Sequence, residues 1–121
     1  MELIISVPDL VRCVAEAIDM VSPIVRNHHR RVMRIAYDFG VACGLGEQGV
    51  ERLLIAAAIH DIGALTLRQR MTIMRFDAVE DRHARYGAEM AARFRPFHHV
   101  TKIIEHHHTP WSAVSEHGPG W

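Results

Sequence analysis

The chain has 121 residues, enough for one domain with its own core, and its formal net charge of +0, without a long run of one sign, argues against an electrostatic nucleic-acid binder. Hydrophobic residues make up 49% and aromatics only 7%, so the expected core is aliphatic and alanine-rich, a mix that favours helices over a sandwich or barrel. No apolar stretch reaches the roughly 18 residues of a membrane span.

Pro8-Asp9 after Ser6 reads as a helix start, with Pro8 near the first turn. Leu10, Val14, Ala17, Ile18 and Val21 then give a helical stripe. Ser22-Pro23 ends that helix and predicts the next, with Ser22 as N-cap and Pro23 at the first helical position. Ile24, His28, Val32, Ile35 and Phe39 follow at helical spacing, which predicts His28 on the inward face and His29 about 100° away from it. Gly44 and Gly46 break the chain. A third helix is predicted from about Glu47 to Ile59, with Gly63 as its C-terminal glycine. Thr66 to Met74 reads as a short helix and Asp77 to Asp81 as an acidic turn. A fourth helix starts near Arg82 and carries His83, Gly87, Met90, Ala91 and Phe94 until Pro96 stops it. A fifth starts near Phe97, carries Val100, Ile103, Ile104, His107 and His108, and ends at Thr109-Pro110. After Trp111 the composition is that of a loop. The fold class is all-α, a bundle of about five main helices in a single domain over residues 1–121. Cys13 and Cys43 fall within predicted helices and read as small core residues, not a disulfide framework. The start Met1-Glu2-Leu3-Ile4-Ile5 lacks the basic residues of a secretory signal, so a cytoplasmic location is expected.

Histidine is over-used: there are 10, against a single lysine, Lys102. His60-Asp61 closes the apolar run from Leu53 to Ile59. A helix that is apolar all round is buried. An imidazole and a carboxylate at its end are costly to bury unpaired. A buried His-Asp hydrogen bond is one solution, and a metal ion is another. His28, His60 with Asp61, His83, and His107 with His108 come from four predicted helices, the way a bundle builds a metal site. Asp61 has two carboxylate oxygens and so is able to bridge two ions. His29, His98, His99 and His117 read as solvated or packing residues, and His106 as an ambiguous neighbour of the doublet. Arg30, Arg31 and Arg34 read as a solvated helix face, and Trp111 as a packing residue rather than a base-stacking platform.

His60-Asp61-Ile62-Gly63 resembles the motif that names the HD superfamily of metal-dependent phosphohydrolases. His28-His29-Arg30-Arg31-Val32, His83-Ala84-Arg85-Tyr86-Gly87 and His107-His108-Thr109-Pro110-Trp111 resemble, in order, the upstream histidine, the His-x-x-x-Gly element and the His-His-x-x-Trp element of its HD-GYP branch. The resemblance implies a bacterial signalling phosphodiesterase acting on cyclic di-GMP or a related nucleotide. It implies two divalent metal ions, iron or manganese foremost, with zinc, nickel and magnesium as alternatives. His28 and His60 would bind the first metal, Asp61 would bridge and serve catalysis, and His83, His107 and His108 would bind the second. It also implies a joined sensory or regulatory domain, and a homodimer is an expectation for the loop end around residues 111–121.

Departures from the family's pattern bear on activity. The family completes its first metal site with a later aspartate, and this chain has none after Asp81, as though the C-terminal helices of the family were lacking. The position after the motif glycine, usually lysine, is Ala64, and no Gly-Tyr-Pro follows Trp111. Where some members carry a glutamate for a third metal, this chain has Ile24, which argues against a trinuclear centre. The competing expectations are a degenerate, non-catalytic module that binds metal or nucleotide, and a nucleotide phosphohydrolase of the wider superfamily.

Overall fold

The computed structural model describes residues 4–20, 23, 26–64 and 82–115. Helices α1 (Val7–Asp19), α2 (His28–Ala42), α3 (Glu47–Ile59) and α4 (Arg82–Ala92) are followed by a 3₁₀ turn (Arg95–Val100) that runs into α5 (Thr101–Glu105). A short α6 spans Trp111–Ser115. The fold is all-α, with no strand among the described residues. No described helix is long and apolar enough to cross a membrane. The expected helix over 66–74 and turn over 77–81 lie outside the described residues, as do Val21, Ser22, Ile24 and His117.

Helix α3 is the central element and packs against α1, α2, α5 and the 3₁₀ turn. Its last five residues, Ile55 to Ile59, are buried on every face. Small side chains make that possible: Ala56, Ala58 and Ala64 are at most 2% exposed, so neighbouring backbones approach closely. Val11, Ala15, Ile55, Ile59, Phe97, Val100 and Ile104 fill the remaining core. Fully burying a residue such as Ile59 or Ile104 contributes about 1.5–3 kcal/mol. Helix α1 starts as expected: Ser6 Oγ accepts from the Asp9 N–H at 3.2 Å and donates to Asp9 Oδ2 at 2.6 Å.

Several expectations are corrected. Helix α2 begins at His28, with Asn27 as its N-cap in the left-handed region (φ 58°). The Arg26 N–H reaches the Pro23 carbonyl at 3.4 Å, ahead of that start. The inward face of α2 is also rotated from the expected one: Ile35 and Phe39 are 68% and 63% exposed. The helix instead turns inward His29, Met33, Ala36 and Gly40, at spacings of four, three and four. The reason is close packing, since a Cβ on Gly40 would sit 3.4 Å from Leu53 and Val50 of α3. The face with the smallest residues wins over the face with the largest apolar ones. A similar rotation in α1 buries Val11, Ala15, Ile18 and Asp19 and leaves Ala17 exposed. Cys13 and Cys43 are exposed, not core. Residues 111–115 are helical where a loop was expected after Trp111, and Trp111 itself is 79% exposed, so it does not pack. Met90 and Phe94 are also exposed, and Phe94 lies beyond the end of α4.

Candidate metal centre

The apolar end of α3 places His60 and Asp61 in a tight turn, in which the Ile62 N–H bonds the Ile59 carbonyl and the Ala64 N–H bonds the Asp61 carbonyl, both at 2.9 Å. Gly63 does not adopt the left-handed conformation of a helix-ending glycine. Its role is closeness: a Cβ there would overlap the His83 carbonyl oxygen and the Gly87 nitrogen of α4. The glycine of His-Asp-x-Gly thus meets the glycine of His-x-x-x-Gly, and that contact brings His83 beside Asp61. His107 and His108 lie in the turn just beyond α5 rather than on a helix, and His28 occupies the first position of α2.

The six expected side chains converge. Asp61 is buried and its two oxygens face different partners. Oδ2 lies 3.2 Å from His60 Nε2 and 3.6 Å from His28 Nε2. Oδ1 lies 3.4 Å from His83 Nε2 and 3.6 Å from His107 Nε2. The Nε2 atoms approach one another in turn: His28 to His60 at 3.4 Å, His83 to His107 at 3.2 Å and His108 to His83 at 3.0 Å. Two groups follow that could each hold a metal ion: His28, His60 and Asp61, and Asp61, His83, His107 and His108.

Three observations fit these groups to a cation. First, two nitrogen ligands about 2.1 Å from a common ion stand roughly 3.0–3.4 Å apart, between octahedral and tetrahedral angles. The Nε2 separations fall in that range. Second, His60 Nδ1 donates to the Ala57 carbonyl at 2.9 Å and His107 Nδ1 to the Ile104 carbonyl at 2.7 Å. With Nδ1 protonated, the neutral rings turn bare Nε2 lone pairs into the cluster, the usual outer support of a metal-binding histidine. Third, Asp61 Oδ1 is buried and accepts no well-formed hydrogen bond. The Nε2 atoms of His83 and His107 stand 3.4 and 3.6 Å from it, farther than a good N–H···O bond.

The electrostatics agree. Burial alone would raise the Asp61 carboxyl, but the imidazoles of His107, His28, His60 and His83 outweigh it and hold the carboxyl far below the usual carboxylate range. Burial alone would lower His60, and the Asp61 carboxylate overcomes this to raise it. Asp61 is therefore ionised at any ordinary pH. A metal that binds His60 must displace a proton held more tightly than usual.

The other described histidines belong to neither group. His98 and His99 are exposed. His106 points Nδ1 at Thr109 Oγ1, 3.2 Å away. Arg34 pairs with Asp38 on the exposed face of α2. The sequence reading missed Asp19, which is 8% exposed at the end of α1 and accepts from His29 Nδ1 at 2.7 Å. Its signal was the spacing: Asp19 lies four residues after Ala15 and eight after Val11, on the buried stripe. A groove of about 700 Å³ lies elsewhere, between α1 and the start of α2, lined by Arg12, Asp19, Arg26, Arg30 and Met33 among others. Converging donor atoms, not concavity, locate the candidate centre.

No solved structure matches the chain. The chain is 28% identical over 104 residues to the 3'3'-cGAMP-specific phosphodiesterase 1 of Vibrio cholerae serotype O1 (strain ATCC 39315 / El Tor Inaba N16961), an alignment that covers 84% of this chain and 24% of that protein. The chain thus spans about a quarter of the curated relative it matches. The HD domain model matches residues 25–118, a span that holds all six converging side chains, and the chain belongs to the HD domain family.

Proposed function

We propose that this chain is a metal-dependent phosphohydrolase domain of the HD-GYP type, acting on a phosphodiester such as cyclic di-GMP or a related cyclic dinucleotide. The observation that carries the proposal is the division of Asp61, with one oxygen toward His28 and His60 and the other toward His83 and His107. A carboxylate so placed suits a dinuclear centre. In this reading His28, His60 and Asp61 hold one divalent ion, and Asp61, His83, His107 and His108 hold the other. Iron or manganese is the expected pair, and the whole of residues 1–121 is one HD domain. The relative's name supports a nucleotide phosphodiester as the substrate class.

Two bound ions supply Lewis acidity toward a phosphoryl oxygen and lower the pKa of water. The chain's own residues supply the rest. Ala57 and Ile104 fix the tautomers of His60 and His107 through their carbonyls. Burial of Asp61 and His83 at the base of the cluster keeps bulk water off the shared carboxylate and strengthens every charge interaction there. His108, the exposed member of its donor group, leaves the second subsite open to solvent on that side. Elemental analysis of the purified protein tests the reading: close to two metals per chain, lost in Asp61→Ala, with hydrolysis of cyclic dinucleotides by the loaded protein. Metal-free protein, or loaded protein without turnover on cyclic dinucleotides and mononucleotides, would count against it.

One observation favours a second reading, a non-catalytic module that binds metal or nucleotide. Ala64 is fully buried, so nothing at that position reaches a substrate phosphate where the family usually has lysine. Tight nucleotide binding without cleavage by metal-loaded protein would support this reading over the first.

A further inference from the structure

Asp19 lies in neither donor group, yet its carboxylate holds the backbone that carries one of the ligands. Oδ1 accepts from the His29 backbone N–H at 3.3 Å and from His29 Nδ1 at 2.7 Å. That backbone N–H belongs to the peptide unit joining His28 to His29. A peptide unit is planar, so anchoring its N–H fixes the torsion that leaves the His28 Cα. The same N–H is one of the donors that a helix leaves unsatisfied in its first turn. Asn27, the N-cap residue, makes no side-chain cap bond and sits at φ 58°. The cap of α2 therefore comes from another helix, through a residue 10 positions away in sequence. The imidazole of His29 completes the clamp. It is 1% exposed, and its ring centre lies 5.2 Å from that of His28 and 5.1 Å from that of His60. It forms a wall against which both rings rest. Its own Nε2 lies in neither donor group, so it supports the site without joining it.

We propose that Asp19 is a positioning residue for the His28–His60–Asp61 subsite: through His29 it caps α2 from α1 and sets the direction in which His28 presents Nε2. The inference rests on the metal-site reading above for its consequence, but its geometric part stands without a metal. Asp19→Ala removes the one oxygen that accepts both bonds. Asp19→Asn keeps a side-chain oxygen able to accept both bonds and loses only the charge.

Two measurements test the proposal. The first needs no metal: a crystal structure of metal-free Asp19→Ala beside the wild type. The His28 Nε2 to His60 Nε2 separation, 3.4 Å here, should widen beyond contact in Asp19→Ala and persist in Asp19→Asn. The second is metal titration followed by elemental analysis. Asp19→Ala should weaken one metal equivalent by roughly 10–100-fold, the usual effect of removing outer support, and leave the other equivalent unchanged. Asp19→Asn should restore both. A general loss of packing would weaken both subsites together and would not be rescued by Asn. Unchanged separation in Asp19→Ala, or equal weakening of both equivalents, overturns the proposal. If Asp19→Ala does not fold, His29→Phe takes its place: it keeps the wall and the backbone N–H, so Asp19 still caps α2, and His28 should stay in place. A displaced His28 in His29→Phe would then overturn the role given to the backbone bond. Wild-type protein without metal but with the expected change in separation would refute the metal-site reading alone.

Discussion

The contact between Gly63 and α4 gives the sharpest test of how the fold builds the site. In Gly63→Ala the new Cβ would overlap the His83 carbonyl oxygen and the Gly87 nitrogen, and lie 3.0 Å from the Gly87 Cα. All three are backbone atoms, so no rotamer change relieves them. Ordinary carbon contacts need about 3.5 Å, so α4 must retreat by roughly an ångström or more. Overpacking costs about 1–3 kcal/mol when side chains yield, and a rigid backbone places this case at the upper end, near ~3 kcal/mol. With an m-value of about 2 kcal/mol/M, the urea midpoint falls by about 1.5 M. The retreat carries His83 away from Asp61 Oδ1, now 3.4 Å distant, so metal content should fall with stability. Gly87→Ala is the control. Its Cβ meets Ile104 Cγ2 at 3.2 Å, the Gly63 nitrogen at 3.3 Å and Ile62 Cγ2 at 3.4 Å. Two of these are side-chain ends that can shift by tenths of an ångström, and alanine gains about 0.8–1 kcal/mol in a helix interior. The net change should stay within about 1 kcal/mol. A Gly63→Ala protein with wild-type midpoint and metal content, or a Gly87→Ala protein that is the more damaged of the two, would refute this account of the crossing.

Other expectations follow from the same geometry. The Asp61 carboxyl is far more acidic in the folded state than its ordinary value of 3.8, so it stabilises metal-free protein above that value. That stability declines as pH falls below about 4 and keeps declining at lower pH, because the unfolded state takes up the proton first; urea melts across pH 2–6 with and without Asp61→Asn would show it. His29 is lowered by burial, and His60 is raised by Asp61 against the pull of burial. Their contributions to the pH dependence of stability oppose one another around 6.5, and His29→Phe should unmask the His60 term as a loss of stability with rising pH. Trp111 is 79% exposed, so Trp111→Ala should change unfolding free energy by no more than about 0.5 kcal/mol; a larger loss would show packing that the structure lacks. Phe39→Glu on the exposed face of α2 should be equally mild in a urea melt.

Different residues made different parts of the fold legible. Helix α3 was readable to the residue because its signals agree: glycines before it, an apolar run along it, and a polar pair at its end. The α2 register was misread because its pattern offers two faces. Large apolar residues at 24, 32, 35 and 39 outweigh small ones in any hydrophobicity argument, but Gly40 gives α3 room to approach. Burial follows where backbones can meet, and single-sequence periodicity does not contain the partner's shape. The same limitation hid Asp19, since a charged residue on a buried stripe makes sense only once His29 is seen to face it.

The motif glycines carry a wider consequence. Read along the chain, Gly63 resembles a helix terminator and Gly87 a tolerated helix interior glycine. In space they are one feature, the point where the end of α3 touches α4. That contact lets a carboxylate on a buried turn stand within 3.4 Å of a histidine 22 positions later. Histidine spacing specifies which atoms could bind, but only the glycine pair brings the two halves of the cluster within reach of one aspartate. A chain that kept all its histidines and lost Gly63 would therefore resemble an intact site in sequence and lack one in space.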